Sequence, residues 1–422
     1  MENSFISVSE AASISGKSIK TIRRAIAANE ISFSRIQNQI RIDKDSFNIW
    51  VNLLSRNRSN SSKIEFKNQK EADEINWIDI HKDIKKDYWK RASKTELNFI
   101  DLFSGAGGLG LGLVMAGFKP VASVEIMPEA IETYKHNFAR FSFNESNIHS
   151  QDIRDKEVKN NLYNSVKGKH IHLISGGFPC QGFSMAGHRI VTDPRNNLYT
   201  DMLEIVSNLK PDFVLMENVE GLRSMLGGLI ERKIIEDYKN IGYEINVTVL
   251  NSADYGVPQI RKRVIFVGNR LGVKNYHPKP ILNEIEYRTV KDGIERFLNI
   301  EENEYINHIF TKHNSETIKR MKDLPEGKSL FGNYSDAWKK TPYNQPSCTV
   351  KENHGGVNIH PIVPRVMTPR ELASLQSFPD DFIFKGSKKW QLVQIGNAVP
   401  PLLAKAIGLS IIKSLKSQSL NS

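Results

Sequence analysis

The sequence predicts an α/β fold of nucleotide-binding type, with a small helical unit ahead of it and a less regular domain inserted near its C-terminal end. Three observations predict it. From Leu97 onward, apolar runs of strand length alternate with helical stretches, the pattern of a parallel sheet covered by helices on both faces. The first run ends in a glycine-rich turn that leads straight into an apolar helix. On either side that rhythm fails, over residues 1–54 and 271–366. A chain of 422 residues is long enough for such a division.

Bulk properties bound the partners. The formal net charge of +11 favours a polyanion such as nucleic acid, although charge alone does not decide it. Two cysteines, Cys180 and Cys348, are too few for a disulfide framework and fit a reducing compartment. The N-terminus carries Glu2 and no apolar run of the signal-peptide kind. No stretch reaches the roughly 18 uninterrupted apolar residues of a membrane helix. A soluble cytoplasmic protein without membrane contact, monomeric in its activity, is expected.

In the first unit, residues 8–14 read as a short amphipathic helix broken by Gly16. A second helix starts at Ser18, a suitable N-cap, and runs to about Asn29 with a basic outer face. Residues 31–42 alternate apolar and polar around Asn38, as a two-stranded wing would, before a closing helix with Phe47, Trp50 and Leu53. The unit resembles the winged helix-turn-helix modules of excisionase-like DNA-binding proteins. The resemblance implies that Lys20, Arg23 and Arg24 face DNA; without it they read as a solvated helix face. Residues 55–95 form a linker, polar over 55–63, and 64–93 carry no assignable role.

Strands are expected at 97–103, 121–125, 170–175, 213–216, 243–249 and 264–267, within a domain spanning 96–270. After the first comes Ser104-Gly105-Ala106-Gly107-Gly108-Leu109-Gly110, where glycines let the backbone approach a ligand and the helix start offers free amides. Glu125 ends the next strand, where a carboxylate can accept ribose hydroxyls. Asp152 closes a third, where it can reach an adenine amino group. No Lys-Ser or Lys-Thr pair follows the glycines, which excludes a P-loop. Asp101, Glu125 and Asp152 would repel a diphosphate but suit S-adenosylmethionine, which has no phosphate and carries a sulfonium and an ammonium.

Four further motifs follow in order. They are Ser175-Gly176-Gly177-Phe178-Pro179-Cys180-Gln181-Gly182-Phe183-Ser184, Glu217-Asn218-Val219, Gln259-Ile260-Arg261-Lys262-Arg263 and Gln394-Ile395-Gly396-Asn397-Ala398-Val399-Pro400-Pro401. With these the chain resembles the cytosine-5 DNA methyltransferases of bacterial restriction-modification type, over roughly residues 96–410. The resemblance implies a Rossmann-like S-adenosylmethionine-dependent methyltransferase domain, a target-recognition domain at 271–366, and a return of residues 367–415 to the catalytic domain.

It also implies roles. Ring carbon 5 of cytosine is a poor nucleophile until a thiolate adds to carbon 6, and Cys180 would be that thiolate. Glu217 would protonate ring nitrogen 3. Arg263 would polarise the base, while Arg261 would hold a loop or the backbone. Asn218 would be a hydrogen bonder at its strand end. Phe103, Gly105, Gly107, Gly108, Leu109, Glu125, Ile126, Asp152, Ile153, Pro179, Leu198, Asn397 and Val399 would form the pocket for S-adenosylmethionine, left as S-adenosylhomocysteine. No metal is implied. Residues 182–195 would be a lid over a cytosine extruded from duplex DNA. Gln259, Thr349, Asn353 and His354 would meet DNA, and Cys348 would be structural.

Rival readings are a tRNA cytosine-5 methyltransferase with the same chemistry, a transcription regulator carrying an inactive methyltransferase domain, and a glycine-loop dehydrogenase. The last offers no use for Cys180. The first unit further suggests binding to the protein's own promoter.

Overall fold

The computed structural model describes residues 5–15, 18–27, 31, 33–36, 39–44, 46–48, 97–139, 147–179, 197–332, 338–352 and 358–418. The chain divides into two units, 1–76 and 77–422. The first contains β1 (Phe5–Ser7), α1 (Val8–Ser15), α2 (Ile19–Ala27), β2 (Phe33–Ile36) and β3 (Gln39–Asp43). β3 pairs antiparallel with both other strands, in the order β1-β3-β2. At the start of α2 the Ser18 hydroxyl accepts the Thr21 amide at 3.2 Å, the capping that its position predicts. Ala11, Ile22, Ala25, Ile26, Ile42 and Phe47 are buried together, leaving Lys20 and Arg23 exposed on α2. β1 has no counterpart in the sequence reading, because three residues are too few to show a period. The Arg24 side chain, Gly16, Asn38, Trp50, Leu53 and the linker lie outside the described residues.

The second unit opens with β4 (Asn98–Leu102), α3 (Gly108–Ala116), β5 (Lys119–Val124), α4 (Pro128–Phe138), β6 (Ile148–His149), α5 (Lys156–Ser165) and β7 (Leu173–Gly176). It continues with α6 (Asn197–Leu209), β8 (Phe213–Val219), α7 (Leu229–Asn240), β9 (Glu244–Asn251) and β10 (Lys262–Asn269). These strands make one sheet in the order β6-β5-β4-β7-β8-β10-β9. The six expected strands are all present, but two expectations are corrected. β10 runs antiparallel to both neighbours, because residues 252–261 are too short a connection for the crossover that parallel strands need. The strand expected to end at Asp152 is only Ile148–His149, and Asp152 falls in the turn beyond it.

Period-two alternation sorts the apolar residues onto two faces. Phe99, Leu173, Phe213, Leu215, Ile265 and Val267 join one core, and Ile100, Ile174, Val214, Met216, Val264 and Phe266 the other. The rest of the chain supplies α8 (Val290–Ile294), α9 (Ser315–Asp323), β11 (Lys339–Lys340), β12 (Asn358–Ile359), α10 (Pro369–Leu375), α11 (Lys388–Asn397) and α12 (Pro401–Gln418). The irregular segment is not a wholly separate body. Val290, Ile294, Phe297 and Val350 belong to the first core, while Met321, Leu330, Ile359 and Val366 form a small one of their own. The run Lys388–Ser417 is long and apolar enough to cross a membrane, yet 72% of its most apolar window is buried inside the domain.

α12 packs on α3 so closely that a Cβ on Gly112 would collide with the Ala404 Cβ and the Pro401 carbonyl. Gly112→Ala is therefore expected to lower stability by about 1–3 kcal/mol, read as a reduced denaturation midpoint; an unchanged midpoint contradicts the packing. Asp101, in β4, is fully buried, and burial pushes its carboxyl up to about 8, opposed by the Ser175 hydroxyl that donates to Oδ1 at 2.9 Å. A folded-state value above the unfolded one of about 3.9 means that the folded chain keeps a proton the unfolded chain releases, so stability falls as pH rises toward 8. Asp101→Asn removes this dependence. Its melting temperature relative to the unsubstituted protein should climb from pH 5 to pH 9, and a gap constant with pH overturns the assignment.

Candidate active site

The parallel strands bring their C-terminal ends to one edge of the sheet, the place where open α/β sheets bind ligands. A cavity of about 560 Å³ opens there. Beyond β4 the backbone turns through left-handed values at Phe103 (φ 53°), Gly105 (54°) and Gly107 (92°). Such a value at a non-glycine is strained, and strain of this kind concentrates at ligand sites. The Gly105 amide donates to Glu125 Oε2 at 2.7 Å, while Oε1 accepts the Ile126 and Met127 amides at 2.8 Å each. Glu125 thus ties the glycine turn to the end of β5 and to the start of α4.

Most of the expected pocket residues meet at this cavity. Phe103, Gly105, Gly108 and Leu109 line one wall, and Glu125, Ile126, Asp152 and Ile153 another. Ile126 is 60% exposed, an unusual position for a large apolar side chain and a suitable face for a flat ring. Pro179, Leu198, Asn397 and Val399 complete the lining. Gly107 is a correction. It is not among the residues that line the cavity, and a Cβ there would meet the Phe138 and Tyr134 rings of α4, so its lack of a side chain serves the packing of the turn on that helix. Arg154 and Glu352 also line the cavity and were not singled out from sequence. For Arg154 a signal exists, since a long side chain two residues beyond Asp152 in a turn can reach back to it.

Glu217 stands buried on β8, with Oε1 2.8 Å from Arg263 Nε. Burial raises its carboxyl above the usual range, opposed by the charges of Arg263 and Arg261. A Cβ on Gly177 would lie 3.2 Å from Glu217 Oε2, so that glycine lets the chain beyond β7 pass directly over the acid. The Asn218 amide group donates to the Phe178 carbonyl at 2.9 Å and pins the same segment. Cys180, two residues further on, lies outside the described residues, as do 182–195.

Arg261 lines the cavity but is only 1% exposed. Its guanidinium donates to the Val350 carbonyl at 2.8 Å and to the Gly396 and Ala398 carbonyls at 3.0 Å, making it a positioning residue. Gln259 is corrected outright. It is fully buried, its amide nitrogen donates to Leu375 O and Gln376 Oε1, and its oxygen accepts the Val350 amide, which leaves no face for DNA. Thr349 donates to the Ile260 carbonyl at 2.8 Å and braces that strand start. Asn353 and His354 lie outside the described residues, and Cys348 is half-buried. Among the described residues His170, His172 and Asp212 bring three ligand atoms within 4.8 Å of one another, at the opposite edge of the sheet. There His172 Nδ1 accepts the Asn98 amide at 3.1 Å.

Residues 97–413 match the family described as C-5 cytosine-specific DNA methylase. The type II methyltransferase M1.HphI of Haemophilus parahaemolyticus is 40% identical over 334 residues, covering 75% of this chain and 87% of the relative. M.DdeI of Desulfomicrobium norvegicum is 33% identical over 370 residues, covering 74% and 87%. Among solved structures, a prophage-encoded DNA modification methyltransferase of E. coli gives a TM-score of 0.62 at 30% identity, over 76% of this chain and 99% of that one. The S. pombe Dnmt2 methyltransferase shares the fold, with a TM-score of 0.52 at 19% identity over 77% and 100%. With the family's description spanning three-quarters of the sequence and the glycine turn, the buried glutamate and the arginine pair gathered at one cavity, the chain belongs to the C-5 cytosine-specific DNA methylases.

Proposed function

We propose that this DNA cytosine-5 methyltransferase acts through a transient covalent bond between Cys180 and an extruded cytosine, with S-adenosylmethionine as methyl donor. The observation that carries the reading is Glu217, a buried acid of raised pKa at the cavity wall, under the segment that leads to Cys180. The donor set suits the cofactor. Glu125 and Asp152 offer carboxylates to a cation without phosphate, to its ribose hydroxyls and adenine amino group respectively, and Ile126 offers an apolar face. When bound, S-adenosylmethionine supplies an electrophilic methyl group.

The chain's own residues supply the rest. The Cys180 thiolate bonds to ring carbon 6 as Glu217 gives its proton to ring nitrogen 3, leaving carbon 5 electron-rich enough to take the methyl group. Loss of the carbon 5 proton to a base then breaks the bond to sulfur, and the ring nitrogen returns its proton to Glu217. Arg263, in contact with Glu217, balances the carboxylate while the proton is away. Residues 96–270 and 367–415 form the catalytic domain in this reading, and 271–366 contribute the grip on duplex DNA that extrusion needs. The names of the relatives support modification within a type II restriction-modification system over a tRNA substrate. In the first unit, exposed Lys20 and Arg23 form a second DNA-binding face that regulates the protein's own promoter.

Three experiments test these readings. On a duplex carrying 5-fluorocytosine, the protein should form a denaturation-resistant adduct that Cys180→Ser loses; a persistent adduct in that variant sinks the mechanism. Glu217→Gln should lower turnover by about 10²–10⁴-fold with cofactor binding intact, and the unsubstituted rate should fall as pH rises through the elevated pKa of Glu217. Separately, Lys20→Ala with Arg23→Ala should lose promoter binding and its salt dependence while methylation continues; full promoter occupancy refutes the regulatory role.

A further inference from the structure

Just beyond β6 the chain folds back on itself so that Arg154 grips Asp152. The Arg154 amide donates to Asp152 Oδ1 at 3.0 Å, and its Nε lies 2.9 Å from Oδ1 and 3.0 Å from Oδ2. A second guanidinium nitrogen donates to Oδ2 at 2.5 Å. The two side chains are 45% and 31% exposed, and pairs that open to water contribute little to folding stability. Yet both residues line the cavity, with Ile153 buried between them. The nearby Asp201 is already held by Lys159 at 2.7 Å, which leaves Asp152 as the carboxylate that Arg154 serves.

A planar guanidinium bound through two nitrogens fixes the plane of a carboxylate, which a lysine cannot do. Three N–H groups of Arg154 fall on the roughly four lone-pair sites of the carboxylate, with Nε shared between its oxygens, so Asp152 keeps room to accept one N–H from a ligand. The grip also holds its pKa below the ordinary range, chiefly through the side-chain hydrogen bonds. We infer that Arg154 is a positioning residue for cofactor selection: it presents the Asp152 carboxylate in the orientation that recognises the exocyclic amino group of adenine. The inference rests on the reading of Asp152 as the adenine contact and adds a residue that acts only through it. Preorganised acceptors bind more tightly because less order is lost on binding.

The test is calorimetric titration of the full chain with S-adenosylhomocysteine and with S-inosylhomocysteine, in which an oxo group replaces the adenine amino group. The unsubstituted protein should prefer the adenosyl ligand. Arg154→Ala should bind it about tenfold more weakly, the loss of roughly one charge-assisted hydrogen bond, with inosyl affinity unchanged. Arg154→Lys should fall between. Equal weakening of both ligands, or preserved discrimination, overturns the role of Arg154. Asp152→Ala separates the two claims. If it keeps the preference, the reading of Asp152 itself fails; if it abolishes a preference that Arg154→Ala retains, only the positioning role fails.

Discussion

Arg261 carries a charge into a place almost without water, where a guanidinium destabilises a fold by several kcal/mol unless hydrogen bonds offset the burial; both of its terminal nitrogens are bonded, while its Nε has no partner among the described residues. Its acceptors are main-chain carbonyls of Val350, Gly396 and Ala398, which lie 89, 135 and 137 residues further along the chain. Burial draws its pKa down to about 9, which leaves it charged at neutral pH. Three segments are therefore held to one cation. The start of β10, the stretch before residue 353 and the junction between α11 and α12 cannot move independently, and Asn397 and Val399 sit in that junction at the cavity wall. Gln259 repeats the device with neutral bonds to Leu375, Gln376 and Val350.

Around the cavity, four carboxyl groups of similar intrinsic chemistry are set apart by their surroundings. Asp101 is buried without a basic partner and keeps its proton to about pH 8. Glu125 is fastened by three backbone amides, and Asp152 by a guanidinium at the solvent edge. Glu217 is buried like Asp101 but lies against Arg263, so either protonation state is tolerated. Of the four, Glu217 is the one placed under the chain that leads beyond β7.

The irregular segment is joined to the catalytic sheet more intimately than its composition suggests. α8 sends Val290 and Ile294 into the main core, and Arg296 bridges α8 to the far side of α10 through Ser374 and Asp380. Only a small cluster around Met321, Leu330, Ile359 and Val366 is its own. The segment is therefore anchored to the main core by packed side chains.

Much of this was legible in the sequence. The six main strands, the glycine turn, the place of Glu125 directly after β5 and the order of the motifs all follow from local patterns, because hydrophobic period and turn chemistry are properties of short stretches. The direction of β10 follows from the short connection at residues 252–261, which the spacing of the strands already held. The burial of Gln259 depends instead on Leu375 and Gln376, 116 and 117 residues along the chain, and no local pattern records it. The same holds for Arg261, whose charge reads as a surface feature until carbonyls more than 80 residues away close around it. The sequence by itself determined which chemical groups are available and on which elements they stand. Only the tertiary structure decided which of them share a cavity and which are occupied holding the walls, because burial and hydrogen-bond partnership are set by the meeting of remote segments.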